Sequence, residues 1–288
     1  MKSESSIIIG CMSWGAWGKQ FSTSEQADLM QFCVDNGNTI FDHADIYGDY
    51  TTEAEFGEAF NESGIDREAI QLISKCGIQY IGKTRNNRVK HYDYSKEYII
   101  WSAEQSLQHL QTDYLDTFLL HRPSPLMHPD EIAKAFQSLK ESGKVRRFGV
   151  SNFTPSQVEL ISSTCDISVN QIEFSLTQHS AMHDGTLDQM LLKNIQPMFW
   201  SPLGSYFKEE NEQTLRTRTE LDALAEKYSA SPDTLLLAWG LKHPAKGSPV
   251  IGTTNKDRIL AANKALEIEL ELEDWFGLLV ASQGHKVP

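Results

Sequence analysis

The chain contains few cysteines and no paired cysteine motif. Its 288 residues include four cysteines, which lie far apart in the sequence, at Cys11, Cys33, Cys76 and Cys165. Disulfide-stabilised secreted domains and structural zinc sites both need closely spaced cysteines. We therefore expect no disulfide framework, no zinc site and a reducing compartment.

The chain also lacks an excess of cations. Its 26 Lys and Arg residues are outnumbered by 39 Asp and Glu residues, which gives a formal net charge of −13. Proteins that bind nucleic acids or anionic membranes depend on a surplus of Lys and Arg to meet phosphate groups. The charge therefore argues against nucleic acid and an anionic membrane surface as partners.

Long hydrophobic runs are missing as well. No apolar stretch approaches the roughly 18 residues that a membrane-spanning helix needs. The stretch from Ile7 to Met12 is too short for the hydrophobic region of a signal peptide, and no small-residue cleavage pattern follows it. We therefore expect a cytoplasmic protein without a membrane partner.

A Gly-x-Gly-x-x-Gly motif is absent, because Gly10, Gly15 and Gly18 are five and three residues apart. This absence argues against a dinucleotide-binding Rossmann sheet, in which that motif connects a strand to a helix. The chain instead alternates short β-branched or apolar runs with longer amphipathic stretches. The predicted strands span residues 6–12, 38–44, 70–76, 114–121, 146–152, 167–174, 196–202 and 248–254.

Helical patterns lie between these strands, for example at residues 24–37, 95–113, 128–144 and 154–164. Eight strands that are each followed by a helix predict an α/β protein, a closed (β/α)8 TIM barrel that forms a single domain over residues 1–288. Two connecting segments, 77–94 and 204–215, exceed the usual loop length, and long loops in compact barrels are often functional.

Polar residues stand at the ends of several predicted strands. Asp42, Lys75 and His121 each end an apolar run, and Ser151 and Asn152 end another. In a barrel, catalytic groups lie at the C-terminal ends of the strands. A shielded charge is costly unless it is paired, so we expect Asp42 and Lys75 to form an ion pair. A structural ion pair beside a core histidine is the alternative interpretation, but three such residues at successive strand ends favour a reaction site.

Tyr47 follows Asp42 by five residues. A nearby Lys75 ammonium would favour the phenolate, so we expect the pKa of Tyr47 to lie below its ordinary value of about 10. His121 would then orient a carbonyl oxygen. This set of residues suits one task, which is to protonate a carbonyl oxygen while hydride arrives from another direction.

These motifs resemble those of the aldo-keto reductase superfamily. FDHADIYG is similar to the family's Asp-x-x-x-x-Tyr-Gly motif, LISKCG carries its lysine, and LLHRP carries its histidine. The terminal segment EDWFGLLVASQGHKVP, with DHADIYG and SKCGI, is most similar to a poorly characterised bacterial oxidoreductase branch. The resemblance implies a catalytic tetrad of Asp42, Tyr47, Lys75 and His121. It also implies NADPH-dependent reduction of an aldehyde or ketone, with Tyr47 as the general acid.

The same resemblance implies a set of cofactor contacts. Ser151, Asn152 and Gln171 would hold the nicotinamide amide, Trp200 would stack on the nicotinamide ring, and Arg258 would contribute most to binding the adenosine 2′-phosphate. The complete expected set for NADPH or NADP+ is Gly10, Cys11, Met12, Asp42, Ser151, Asn152, Gln171, Trp200, Ser201, Leu203, Gly204, Ile251, Gly252, Thr253, Thr254, Asn255 and Arg258.

The expected substrate is a small carbonyl compound. We expect Trp14 and Tyr50 to join Tyr47 and His121 in the wall around it, and Trp17 to pack in the core. The expected assembly is a monomer or a weak oligomer.

Two other polar clusters have competing interpretations. The basic residues between Lys83 and His91 form either a solvated charge cluster or a patch that attracts an anionic substrate. His179 and His183 are four residues apart, but the segment QHSAMHDG is more typical of a polar loop than of a metal site. We expect no bound metal.

Two functions other than carbonyl reduction remain open. A cofactor-sensing partner subunit of the same fold would bind NADPH but turn over slowly, and multiple turnovers with an aldehyde would separate it from an enzyme. An aldolase or isomerase is also compatible with a barrel. It would need an uncharged lysine for a Schiff base, and a Lys75 that is paired with Asp42 is too well protonated for that role.

Overall fold

A computed structural model describes residues 6–288. Within those residues the strands are β1 (Ile8–Gly10), β2 (Ile40–Asp42), β3 (Gln71–Cys76), β4 (Ile78–Gln79), β5 (His91–Tyr92), β6 (Leu115–Leu120), β7 (Val145–Ser151), β8 (Val169–Glu173), β9 (Gln196–Trp200) and β10 (Ser248–Ile251). The α-helices are α1 (Thr23–Asp35), α2 (Thr52–Ser63), α3 (Lys96–His109), α4 (Pro129–Glu141), α5 (Pro155–Ser162), α6 (Thr186–Lys193), α7 (Glu212–Tyr228), α8 (Pro232–Leu241), α9 (Lys256–Lys264) and α10 (Leu272–Gln283).

Eight of the strands close into a barrel in the hydrogen-bonded order β1-β10-β9-β8-β7-β6-β3-β2. Each corresponds to one of the predicted strands, so the predicted (β/α)8 class is confirmed. The strands of a parallel barrel are covered on both faces and therefore tend to be apolar throughout. Strand β6 illustrates this, since all six of its residues are buried.

By the density of its contacts, the chain forms two compact units. The first comprises Ile8–Gln171 and Gly252–Thr254. Among the described residues, the second comprises 6–7, Ile172–Ile251 and 255–288. The single domain over residues 1–288 stays a prediction, and residues 1–5 of that range lie outside the described part.

The helices begin where the sequence supplies capping side chains. Ser22 caps α1 and forms a capping box with Glu25, and Thr154 forms the same arrangement with Gln157 at α5. Helix α1 ends at Asp35, two residues before Gly37, and Gly37 has a φ of +80°, a left-handed conformation that glycine adopts at little cost. Among the described helices, none has the length and apolar content that crossing a bilayer would require.

The long segment after β3 contains structure that the sequence did not indicate. Strands β4 and β5 pair antiparallel through Ile78 with Tyr92 and Gln79 with His91. Each strand is two residues long, which is too short to show an alternating pattern. The predicted loop 77–94 is therefore a small hairpin with a long tip.

Candidate active site

Neighbouring strands of the first unit bring the predicted tetrad together. Asp42 is the last residue of β2, Lys75 lies near the end of β3, and His121 directly follows β6. Strand β3 pairs with both β2 and β6, so these three residues lie at the same end of adjacent strands. Tyr47 lies in the turn between β2 and α2.

The Lys75 side chain has no exposed surface, and each of its three N–H bonds has an acceptor. Its Nζ donates to Asp42 Oδ2 at 2.7 Å, to the His43 carbonyl oxygen at 2.7 Å and to Tyr47 Oη at 3.2 Å. The expected ion pair between Asp42 and Lys75 is therefore present. Because the ammonium donates to the phenol oxygen, the hydroxyl proton of Tyr47 takes no part in that hydrogen bond.

The Asp42 carboxylate is held on its other oxygen as well. Gln171 Nε2 donates to Asp42 Oδ1 at 2.8 Å. Gln171 was expected on the nicotinamide amide, whereas the structure shows one of its amide protons on Asp42. This contact fixes the carboxylate that in turn fixes Lys75.

Burial and nearby charges shift the pKa values of Lys75 and Tyr47 in opposite directions. Burial alone would lower the pKa of Lys75, but the Asp42 carboxylate and the Tyr47 hydroxyl raise it above its ordinary value. Burial raises the pKa of Tyr47 above its ordinary value, although Lys75 opposes this effect. The expected lowering of the Tyr47 pKa is therefore wrong for this structure, because desolvation of the phenolate outweighs the nearby cation.

His121 lies beside the phenol with its ring centroid 6.1 Å from that of Tyr47, at an interplanar angle of 78°. Burial, and then the charge of Lys75, hold the pKa of His121 well below its usual range. The imidazole is therefore neutral near pH 7 and can donate one hydrogen bond from its single ring N–H group. Its Nδ1 has no hydrogen-bond partner within residues 6–288.

His43 also belongs to this network, although no sequence motif points to it. Its carbonyl oxygen accepts from Lys75, while its ring is buried 4.3 Å from the ring of Phe56. Burial and Lys75 lower the pKa of His43 to about 3. Its role in the network comes from a main-chain atom, and no side-chain motif could have indicated it.

The two tryptophans after β1 occupy the reverse of their expected positions. Trp14 has no exposed surface and packs on Phe41 and Phe56, so it belongs to the core and is not a substrate wall. Trp17 is 39% exposed and lies 6.3 Å from the ring of Tyr47, between ring centroids. It also lies 5.2 Å from the ring of Tyr80.

Tyr50 is likewise buried, and its hydroxyl is used inside the protein. The hydroxyl donates to the Ile78 carbonyl oxygen at 3.3 Å and accepts from the Tyr80 N–H at 3.0 Å. Tyr50 therefore supports the wall of the site from behind and does not form its surface, which corrects the expected substrate contact.

The first unit also contains several expected cofactor residues. Gly10 ends β1, Cys11 is buried and Met12 is exposed. Asn152 follows β7 with a φ of +62° and donates from Nδ2 to Ser151 Oγ at 2.8 Å. Gly252, Thr253 and Thr254 belong to this unit too, and a Cβ on Gly252 would meet no other atom within 4 Å. The space beside the Gly252 Cα is thus open.

The second unit contains the remaining expected cofactor residues. Trp200 ends β9, and Ser201 and Leu203 follow it half-buried. Gly204 has a φ of +56°, and a Cβ there would overlap the Thr177 hydroxyl, which explains the glycine. Ile251 ends β10.

The predicted phosphate-binding segment lies at the start of α9. Asn255 is the N-cap, since its Oδ1 accepts from the Arg258 N–H at 3.0 Å. Arg258 is exposed. A capped helix start with an exposed arginine in its first turn is an arrangement that suits a phosphate.

No group of three His, Cys, Asp or Glu side chains lies together in a metal-binding arrangement within residues 6–288. The absence of a bound metal stays a prediction.

Comparison with known proteins identifies the family. The model of the aldo/keto reductase family matches residues 6–277, so the chain belongs to the aldo/keto reductase family. This confirms the resemblance seen in the motifs and the predicted enzyme class, an oxidoreductase.

Two bacterial relatives match over almost their full length. The chain is 44% identical to the uncharacterized oxidoreductase YcsN of Bacillus subtilis, over 99% of this chain and 96% of that protein. It is 38% identical to a 6-dehydroglucose reductase of Agrobacterium fabrum, over 95% of this chain and 94% of that protein. The predicted similarity to a poorly characterised bacterial oxidoreductase branch is confirmed.

Solved structures show the same fold. The glycerol dehydrogenase of Gluconobacter oxydans matches with a TM-score of 0.85 at 20% identity, over 98% of this chain and 93% of that chain. An aldo/keto reductase of Klebsiella pneumoniae, solved with NADP and acetate, matches with a TM-score of 0.79 at 24% identity, over 98% of this chain and 92% of that chain.

Proposed function

We propose that this protein reduces a small aldehyde or ketone to the alcohol with NADPH, and that Tyr47 is its general acid. The observation that carries the proposal is the buried Lys75, whose Nζ lies 2.7 Å from Asp42 Oδ2 and 3.2 Å from Tyr47 Oη. NADPH, when bound, would supply the hydride for this reduction.

The hydrogen bonds of Lys75 support Tyr47 as the proton donor. Because Lys75 donates to the phenol oxygen, Tyr47 can direct its own O–H bond at a substrate oxygen. The carbonyl oxygen becomes a stronger base than a phenolate as the carbonyl is reduced, so it takes this proton even though burial raises the pKa of Tyr47. The phenolate that remains lies against the Lys75 ammonium, which stabilises it.

His121 has a supporting role in the proposal. Its low pKa keeps the imidazole neutral, so its one ring N–H group can donate a hydrogen bond to the same carbonyl oxygen. A neutral donor polarises the carbonyl without competing with Tyr47 as the proton source. The substrate would contact Tyr47, His121 and the exposed ring of Trp17.

The residues present fit the cofactor. In the first unit, Ser151, Asn152 and Gln171 are proposed to hold the nicotinamide amide, and Gly10, Cys11, Met12 and Asp42 are proposed to lie near the ring. In the second unit, Trp200 is proposed to stack on the nicotinamide, with Ser201, Leu203 and Gly204 along the pyrophosphate. Ile251, Gly252, Thr253, Thr254, Asn255 and Arg258 are proposed to bind the adenosine end, where Asn255 caps α9 and Arg258 is exposed.

The proposed setting is the cytoplasm, with the protein a monomer or a weak oligomer. Within the described residues no disulfide bond joins any of the four cysteines, and three of the cysteines are buried, as suits a reducing compartment. The relative from Agrobacterium fabrum is named a 6-dehydroglucose reductase, so oxidised sugars belong in the substrate panel beside simple aldehydes, keto acids and quinones.

The test is the Tyr47→Phe variant, assayed by NADPH oxidation with the best substrate of that panel. Turnover should fall by about 10²–10⁴, the usual contribution of a positioned acid, while NADPH affinity stays nearly intact. Tyr92 and Tyr47 both pack against the buried hydrophobic cluster of Ala44, Ile46, Tyr50 and Ile78, so Tyr92→Phe is the matched control and should retain turnover. Near-normal turnover of Tyr47→Phe would remove Tyr47 as the acid. A single turnover by the wild type would instead favour the cofactor-sensing subunit.

A further inference from the structure

The turn that carries Tyr47 has an unusual backbone. The three residues that follow Tyr47 all have positive φ values, +62° at Gly48, +59° at Asp49 and +71° at Tyr50. Glycine adopts this conformation readily, but aspartate and above all tyrosine do so at a cost. Such strained positions persist only where the surrounding structure holds them.

The long segment after β3 supplies contacts that hold this turn. The Asp49 carboxylate accepts from the backbone N–H groups of Lys83 at 2.6 Å and Thr84 at 3.1 Å. The Tyr50 hydroxyl bonds to the backbone of Ile78 and Tyr80. Both strained non-glycine residues are therefore fixed by one segment, residues 78–84.

Arg85 follows this segment, and it is not the solvated charge that one interpretation of the basic cluster assumed. Its guanidinium carbon lies 3.7 Å from the ring centroid of Tyr50 and 5.0 Å from that of Trp101. Its Nη1 donates to the Tyr98 hydroxyl at 2.7 Å and to Gln79 Oε1 at 3.3 Å. The side chain thus joins the turn to helix α3.

A second connection runs from Arg85 to the start of the same turn. The Tyr98 hydroxyl, which accepts from Arg85, donates to Asp45 Oδ2 at 3.3 Å. Asp45 is buried, its carboxylate also accepts from the Ser102 hydroxyl at 3.1 Å, and its N–H donates to the Lys75 carbonyl oxygen at 3.0 Å. Arg85 therefore connects to the turn on both sides of Tyr47, at Asp45 through Tyr98 and at Tyr50 directly.

We propose that Arg85 is a positioning residue for the reaction, which holds the turn 45–50 and thereby keeps the Tyr47 hydroxyl in place. The inference rests on the proposed role of Tyr47. Displacing a reacting group by about 1 Å can cost on the order of a hundredfold in rate, so a loosened turn should lower turnover strongly. A lysine cannot replace Arg85 fully, because its ammonium lacks the planar group that stacks on Tyr50 while it donates to Tyr98.

The test compares Arg85→Met with Arg88→Met, which removes the same charge from an exposed position of the same loop. With a neutral aldehyde, Arg85→Met should lower kcat by about ten- to a hundredfold and leave KM and the NADPH Kd within about twofold. Arg88→Met should leave all three unchanged. Arg85→Lys should fall between the wild type and Arg85→Met.

Hydrogen–deuterium exchange measures the turn itself and does not depend on activity. Peptides that cover residues 44–52 should exchange faster in Arg85→Met than in the wild type, and Arg88→Met should match the wild type. Tyr98→Phe keeps the ring and loses only the hydroxyl that links Arg85 with Asp45, so it should show the same changes in weaker form. This milder variant provides the test if Arg85→Met does not fold.

Three results would overturn the proposal. They are equal kcat in Arg85→Met and Arg88→Met, unchanged exchange at residues 44–52, and a rise in KM with kcat retained, which would make Arg85 a substrate contact. Failure of the proposed function has a different signature. In that case Tyr47→Phe stays active, while Arg85→Met still speeds exchange in the turn.

Discussion

Lys75 is the cation that opposes the effect of burial on Tyr47, and methionine at this position keeps the length of the side chain without the charge. Lys75→Met should abolish most activity. Because Lys75 lowers the pKa of Tyr47 against the effect of burial, its removal should raise that pKa further. The acid must be protonated to act, so the alkaline limb of the pH–rate profile should move to higher pH in the residual activity.

The pH–rate profile of Asp42→Asn provides the comparison. Asparagine retains an oxygen that can accept from Lys75 Nζ and leaves the ammonium in place, so this variant should lose less activity than Lys75→Met. If Lys75→Met kept both the rate and the profile of the wild type, the role assigned to Lys75 would be wrong.

Trp14 and Trp17 should respond oppositely to truncation. Trp14→Ala removes a fully buried ring, so it should lower the free energy of unfolding by about 3–5 kcal/mol. Trp17→Ala removes a partly exposed ring beside Tyr47, so it should raise KM with a stability change of about 0.5 kcal/mol or less. Urea unfolding and steady-state kinetics on both variants measure these effects. If Trp14→Ala had normal stability and a raised KM, Trp14 would contact the substrate, as the sequence analysis expects.

The residues of the site differ in how far the sequence could predict them. Asp42, Lys75 and His121 were predictable because a polar residue that ends an apolar run must lie at the mouth of a barrel. Which of Trp14 and Trp17 is buried could not be predicted from the sequence. Both residues lie in a turn whose direction depends on tertiary contacts such as the packing of Trp14 on Phe41.

At the scale of elements, strand prediction succeeded where the apolar run was long. Strand β6 is buried over its whole length, and such a run with polar ends is recognisable without knowledge of the fold. Strands β4 and β5 are two residues long, and their pairing depends on contacts that are distant in the sequence, such as the bond from Tyr50 to Ile78. The conformation of Arg85 depends on the same contacts, so the sequence could not predict it.

The start of α9 carries a prediction about cofactor choice. The exposed Arg258 stands in the first turn of α9, behind the cap at Asn255. One charge-assisted contact with a phosphate is worth about 1.5–3 kcal/mol, so Arg258→Ala should weaken NADPH binding roughly ten- to a hundredfold. NADH lacks the 2′-phosphate, so its binding should change little.

Fluorescence titration with both cofactors measures this, since the proposed stacking of Trp200 on the nicotinamide should let either cofactor quench its fluorescence. Lys256 is exposed in the same turn, which makes Lys256→Ala a matched control for the loss of one positive charge. Equal losses of affinity for NADPH and NADH in Arg258→Ala would mean that Arg258 supports the fold and does not contact the phosphate.

For the whole molecule, the alternation of strands and helices predicted the closed barrel, because few arrangements bury eight apolar strands that are each followed by a helix. The division of contacts into two units was not predictable in this way. The boundary at Gln171 falls inside β8, where the sequence shows neither a linker nor a change in composition. It reflects how densely residues contact one another in the folded chain.

If the chain is a single domain, as the sequence predicts, it should unfold in one cooperative transition. A domain with one core loses its structure all at once, so hydrogen exchange in both units should lose protection at the same urea concentration. Strand β6 reports on the first unit and helix α8 on the second, because both are almost entirely buried. Peptides from these two elements, followed by mass spectrometry along a urea series, should give coincident midpoints, and NADPH should move both midpoints upward together. Separate midpoints, or an upward shift in one unit alone, would show two domains in place of one.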